Sequence, residues 1–172
     1  MERPLIVDLP YPSIESLTQD LESANIILGA YASKHSELQA ILQYVYHHFF
    51  FFACGEEKIA KILIEISVAE MKHLEMLGQM LLKLGIDPMF YFISPYRREF
   101  FSSECVNYSK TTQKMLLDDI SGELVAISEY NKMLNNLKNE EVGAMIKRIV
   151  LDEELHVRVL KDCLDNVINK YK

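Results

Sequence analysis

The chain carries one pattern twice. Glu37 is followed seven residues later by Tyr44 and then by Glu70-x-x-His73; Glu123 is followed seven residues later by Tyr130 and then by Glu153-x-x-His156. The two Glu-to-Glu separations, 33 and 30 residues, are nearly equal. Residues three, four or seven apart share one face of an α-helix. Each half therefore reads as a helix pair, one helix presenting a lone Glu and the other a Glu-x-x-His. Apolar residues recur alongside: Ile59, Leu63, Ile66, Leu77 and Leu81 in the first half, Ile146, Ile149, Val157, Leu160 and Leu164 in the second. A fold that accepts this pattern must gather four helices around six ionisable groups.

Gly and Pro punctuate the chain between those helices. Pro4, Pro10 and Pro12 mark a non-helical arm over residues 1–12. Ser13 then reads as an N-cap, with Ile14, Leu17 and Leu21 at helical spacing behind it. That first helix is expected to run to Phe52, with a break near Gly29. A second opens at Glu56 and stops at Gly85, a good C-terminal residue, with Pro88 preventing continuation. Third and fourth helices are expected over 110–137 and 140–169, joined tightly at Lys138-Asn139.

Residues 86–108 lack a helical period and hold Pro88, Pro95, Phe90, Tyr91, Phe92, Tyr96, Phe100 and Phe101. A connection this long needs a reason. Helices of about 28 residues span roughly 42 Å, and about 22 extended residues can travel back along that length. The layout is an all-α, ferritin-like four-helix bundle with a long crossover between helices two and three, read as a single domain over 1–172. Strands fit only as short pieces within the crossover.

Composition narrows the function classes. With 18 basic and 25 acidic residues the net charge is −7, which argues against general nucleic-acid binding. No run of about 18 apolar residues occurs, so no membrane span is expected. Met1-Glu2-Arg3-Pro4 does not have the layout of a secretory signal. Cys54, Cys105 and Cys163 are too far apart and too few for a disulfide framework and are expected to be buried thiols. A reducing, cytoplasmic setting fits.

Four carboxylates in a core cannot all stay ionised without compensation. Two divalent ions would balance them, and neutral imidazoles would complete the coordination. One Glu from each of two helices plus Glu-x-x-His from each of the other two is the donor set of di-iron and di-manganese bundles. Glu37, Glu70, His73, Glu123, Glu153 and His156 are thus candidate ligands for two metal ions per chain, manganese or iron. A single Glu-x-x-His is weak evidence: with 17 Glu in 172 residues, a given His has roughly a one-in-ten chance of Glu three positions earlier. Two such pairs with matching Glu-x6-Tyr segments are far rarer. Tyr44 and Tyr130 are expected to bond the ligating carboxylates, because a buried phenol needs a partner. Together with Glu153 they are the candidate catalytic residues. His48, eleven residues after Glu37, either reaches an access channel or is satisfied within the fold. Phe49-Phe50-Phe51-Phe52 cannot all hide on one helix face. Enclosure by the crossover or, preferably, a homo-oligomer interface would cover them. Met71, Met76 and Met80 read as core or interface filler.

The chain resembles the ferritin-like superfamily, within it the manganese catalases and their small spore-coat relatives, and more distantly rubrerythrin and bacterioferritin. The resemblance lies in residues 36–44 (SELQAILQY), 69–78 (AEMKHLEMLG) and 85–88 (GIDP), the prolines near Tyr11, and the Phe101–Tyr108 stretch, and extends over about 10–168. It implies Glu37 as a terminal ligand, Glu70 as a bridge and His73 on the first metal, with Glu123 and His156 on the second. The second Glu of the repeat, Glu153, is an acid/base group beside the metals in manganese catalases, but bridges them in rubrerythrin- and bacterioferritin-like proteins. The extra carboxylate typical of rubrerythrins would fall near Ala126, and no rubredoxin-type cysteine pattern occurs in these residues. The implied substrates are hydrogen peroxide or oxygen. The readings are catalase-like disproportionation, an iron-dependent peroxidase or ferroxidase, or a coat-like structural protein.

Overall fold

In the computed structural model, residues 2–94 and 97–170 are described; Pro95 and Tyr96 of the crossover lie outside them. The helices are α1 (Leu21–Ala32), α2 (Glu37–Ala53), α3 (Glu57–Leu84), α4 (Thr112–Asn136) and α5 (Glu140–Lys170). Side-chain caps set most starts. Asp20 accepts from Ser23 N, Ser36 from Gln39 N, Thr111 from Lys114 N, and Asn139 from Val142 N.

The first helix differs from the expectation in two ways. It begins at Leu21 rather than after Ser13, and its break falls at Ser33–Ser36 rather than near Gly29. Ser33 and Ser36 have extended backbone, and the Ser36 hydroxyl bonds the Ser33 carbonyl. Short hydroxyl side chains compete with helical bonding in this way. A lone Gly costs a helix only about 1 kcal/mol, so Gly29 stays inside α1.

α1 and α2 together form the first rod of the bundle and run antiparallel to α3. Asp20 N donates to Leu84 O at the far end, and Ser67 Oγ donates to Ile41 O midway. His48 Nδ1 meets Ala60 O at 2.7 Å near the other end. That contact, with Phe49 and Phe52 against the ring, satisfies His48 away from any channel. α4 and α5 form the second antiparallel pair. Two apolar clusters fill the ends of the bundle, one around Ile27, Leu81 and Ile146, the other around Phe51, Leu63 and Leu116. Each large side chain so buried contributes about 1.5–3 kcal/mol. Between the clusters lies a belt of buried polar residues.

The crossover contains a short antiparallel hairpin, β1 (Tyr91–Ile93) with β2 (Arg98–Phe100), pairing Tyr91 with Phe100, then one 3₁₀ turn at Ser103–Cys105. Its end is fixed to α2: Gln43 Oε1 accepts from Asn107 N, and the His47 ring contacts the Asn107 carbonyl. The crossover does not enclose the phenylalanine run. Phe51 is fully buried, while Phe49 and Phe52 are each 62 % exposed. Met80 is buried, but Met71 is exposed. Only Cys163 is a buried thiol; Cys54 is exposed and Cys105 half-buried, because both sit at ends of elements. Among the described residues, no helix is long and apolar enough to cross a membrane.

Gly85 ends α3 with φ of +98°, and a Cβ there would lie 3.1 Å from Gln19 Cγ. Gly85→Ala is therefore expected to destabilise the fold by about 1–2 kcal/mol. A chain of this size should lose roughly 2–8 °C in thermal midpoint. An unchanged melting curve would show that the left-handed cap is not needed.

Candidate metal centre

Helical spacing delivers all six repeated residues to one place. Glu37 (α2), Glu70 and His73 (α3), Glu123 (α4), and Glu153 and His156 (α5) are all buried. They form two overlapping groups: Glu37, Glu70, His73 and Glu153, and Glu70, Glu123, Glu153 and His156. Within each, one ligand atom per residue lies within 4.8 Å of the others. Glu70 and Glu153 belong to both groups.

The arrangement is nearly two-fold symmetric. His73 Nδ1 lies 3.1 Å from Glu70, 3.3 Å from Glu153 and 3.5 Å from Glu37. His156 Nδ1 lies 2.9 Å from Glu70, 3.2 Å from Glu153 and 3.6 Å from Glu123. Glu70 and Glu153 each turn one oxygen to each imidazole. The tyrosines cross between halves: the Tyr44 hydroxyl donates to Glu123, and the Tyr130 hydroxyl donates to Glu37.

Protons set the charge balance of this cluster. Burial, then the Glu70 charge, pushes the Glu37 carboxyl well above its usual range. Burial and the charges of Glu153 and Glu70 do the same to Glu123. Burial would also raise Glu70, yet hydrogen bonding with Glu37 and the two imidazoles hold it well below. Glu153 is held low, against burial and the Glu70 charge, by His156 and His73. Both imidazoles are raised well above the ordinary range: their carboxylate partners overcome the effect of burial. Burial, reinforced by the neighbouring carboxylates, keeps both phenols protonated. Proton affinity is thus raised at the two outer carboxyls and both imidazoles and lowered at the two central carboxylates.

The donors fit a pair of hard divalent ions. Glu70 Oε1 and Glu153 Oε1 are buried without a well-directed hydrogen-bond donor, although an imidazole nitrogen lies close to each. One Nδ1–H cannot serve several carboxylate oxygens at once, whereas a cation can. The far nitrogens are already occupied: His73 Nε2 bonds Asp152 at 3.2 Å, and His156 Nε2 bonds the Leu5 carbonyl at 2.8 Å. Such partners fix the tautomer that leaves Nδ1 free for a metal.

Sequence reasoning missed several groups. Asp152 also accepts from Tyr11 and Val7 and pairs with Arg148; despite its burial, these contacts and His73 bring it down to about 2. On the other flank, Asp119 bonds His47 and Gln43, and burial raises its carboxyl. Asp152 adjoins Glu153, and Asp119 lies one turn before Glu123, so helical phase could have found both. A cavity of about 220 Å³ between α1, α2 and α4 leads to Glu37, Glu70, Glu123 and Glu153. Small residues open it: Ala40 and Ala126 line it, and a Cβ at Gly29 or Gly122 would meet nothing within 4 Å.

The comparisons with known proteins agree with this architecture. The family model for the ferritin-like domain matches residues 34–168. The chain belongs to the ferritin-like family. Among solved structures, a manganese catalase from Anabaena matches with a TM-score of 0.81 and 19 % identity, over 94 % of this chain and 79 % of that one. The Rhodobacter capsulatus bacterioferritin, described with a metal-free dinuclear site and a haem iron, matches with a TM-score of 0.71 and 23 % identity, over 88 % and 89 %. The Mycobacterium tuberculosis bacterioferritin gives 0.73 and 20 %, over the same shares. Comparison of the sequence with curated proteins gives no match.

Metal ions held by Glu37, Glu123, His73 and His156 would displace protons from them. Loading two divalent ions near neutral pH is therefore expected to release protons. Affinity should fall as pH falls, because both imidazoles and both outer carboxyls hold their protons more tightly than free side chains do. Calorimetry in buffers of different ionisation enthalpy counts the protons. A pH-independent affinity would contradict this protonation scheme.

Proposed function

We propose that the protein is a dinuclear-metal oxidoreductase acting on hydrogen peroxide or dioxygen, with manganese or iron at the two positions. The observation that carries this reading is the sharing of Glu70 and Glu153. Each places one carboxylate oxygen against each histidine Nδ1, so both would hold both ions. Glu37 with His73, and Glu123 with His156, would complete the two positions.

A bound pair of redox-active ions supplies a two-electron couple and orients the substrate. The rest of the chemistry belongs to the chain. Tyr44 and Tyr130 hold the Glu123 and Glu37 carboxyls in position from the opposite half. Reduction of peroxide to two waters consumes two protons and two electrons, and the cavity that ends at Glu37 and Glu123 would admit the protons together with the substrate. The small-residue walls admit a solute the size of dioxygen or hydrogen peroxide, and Ala126 leaves the cavity open where a carboxylate would add a further ligand. The exposed Phe49 and Phe52 suit self-association, consistent with a homo-oligomer.

The place of Glu153 bears on its role. Its distances of 3.3 and 3.2 Å to the two imidazoles support a ligand, the bacterioferritin-like arrangement, over a proton carrier standing beside the metals. The TM-score of 0.81 to a manganese catalase keeps disproportionation, two peroxides to two waters and oxygen, as the second reading.

Metal analysis of protein produced with both iron and manganese present tests the assignment. About two ions per chain are expected. Glu70→Ala should lose both, and Glu153→Gln should lower the metal content as well. Full metal in Glu70→Ala would overturn the shared-ligand reading. Full metal with slowed turnover in Glu153→Gln would return Glu153 to proton transfer. Oxygen evolution from peroxide without a reductant would select the catalase-like reaction; strict dependence on a reductant would select the peroxidase or oxidase.

A further inference from the structure

The two-fold symmetry of the site breaks on the side away from the cavity. Asp152, the residue before Glu153, reaches His73 on the facing helix, with Oδ2 3.2 Å from Nε2. The repeat assigns the same task for His156 to the residue before Glu70. That residue is Ala69, fully buried and without a polar side chain. His156 Nε2 donates instead to the Leu5 carbonyl at 2.8 Å. Leu5 is not placed by chance. Its own N–H donates to Glu65 O at 3.1 Å, and Arg148 clamps the following residues by donating to Val7 O at 2.7 Å and Leu9 O at 2.9 Å. Val7 N and the Tyr11 hydroxyl then bond Asp152 itself. One extended arm thus touches the outer partners of both histidines.

We infer that this arm supplies the acceptor missing from the first half of the repeat, making the Leu5 carbonyl the positioning group of His156, and that the two metal positions are unequal in consequence. A carboxylate partner makes an imidazole a stronger ligand than a neutral carbonyl does. Asp152 is fixed on a helix, whereas the Leu5 carbonyl is held by a strap outside the bundle. The first divalent ion therefore binds at Glu37 and His73, and the second binds more weakly at Glu123 and His156. The inference rests on the dinuclear reading above for its metal ions, but not for the arm's bond to His156.

The test uses cobalt(II) alone, titrated calorimetrically and by visible absorption. Wild type is expected to bind in two unequal steps. Deletion of residues 2–6 should weaken the second step about 10- to 100-fold and leave the first unchanged. Adding Ala69→Asp to the deletion should restore the second step, because it returns the carboxylate that the repeat lacks. Asp152→Asn should weaken the first step. Equal loss at both steps on deletion, no loss at either, or a second step that Ala69→Asp fails to restore in a protein of unchanged helicity would overturn the inference. Nitrogen-15 spectra of the histidines in metal-free protein give an independent readout. The His156 Nε2–H should be protected from exchange in wild type and exposed in the deletion. No cobalt uptake with an arm-dependent Nε2–H would sink the dinuclear reading and leave the arm's role standing; an Nε2–H indifferent to the arm would sink the arm's role alone.

Discussion

Four carboxylates and two imidazoles in the middle of a helical bundle form the interaction on which the rest depends. An uncompensated buried charge costs several kcal/mol even after relaxation. The cluster lowers that cost by sorting its proton affinities: low at Glu70 and Glu153, high at His73, His156, Glu37 and Glu123. The sorting follows from position. The two central carboxylates face both imidazoles, while each outer one faces a single imidazole, a phenol of the other half and the two central carboxylates. The apolar clusters at either end of the bundle keep water from relaxing this arrangement.

Symmetry explains how one short pattern builds such a site, and its breaking explains access. Both halves present Glu, Tyr, Glu and His in the same phases, and the tyrosines cross to tie the halves together. On one flank the helices stand apart because Gly29, Ala40, Gly122 and Ala126 leave room, and the cavity lies there. On the other, the N-terminal arm bonds His156 Nε2 directly and bonds Asp152, the partner of His73 Nε2. The site is therefore open on one side and hydrogen-bonded shut on the other. A small solute can reach the carboxylates through the cavity without disturbing the groups that orient the imidazoles.

What could be read from the sequence was what helical periodicity makes local. The repeated Glu and Glu-x-x-His positions, the bundle with its crossover, and the Gly85 cap all follow from spacing along a single helix. The misplaced helix start and break had a different origin. Ser13, Ile14 and Leu17 imitate a helix opening, but Asp20 has the partners, Ser23 and Leu84, that make a real cap. The serines at 33 and 36 outweigh Gly29 because they offer the backbone an alternative bond, which a bare glycine cannot. The outer partners of the histidines were harder still. Asp152 was visible only once its helix phase was tied to a facing helix. The Leu5 carbonyl carries no side-chain signature at all, so no residue type announces it.

The same six side chains can be balanced by protons or by two divalent ions, and this bears on how the protein is made. In small zinc domains the ligands are gathered only by the metal, so folding and loading are one event. Here the phenols, Asp152 and the arm hold the ligands in place while protons neutralise them, and two large apolar clusters stabilise the bundle independently of the site. Loading then becomes an exchange of protons for metal in a finished site. Geometry imposed by the fold, rather than by the ion, limits how far the site can adapt to whichever metal arrives. Any preference among divalent ions would then come from supply and from the fixed distances among Glu70, Glu153 and the two imidazoles.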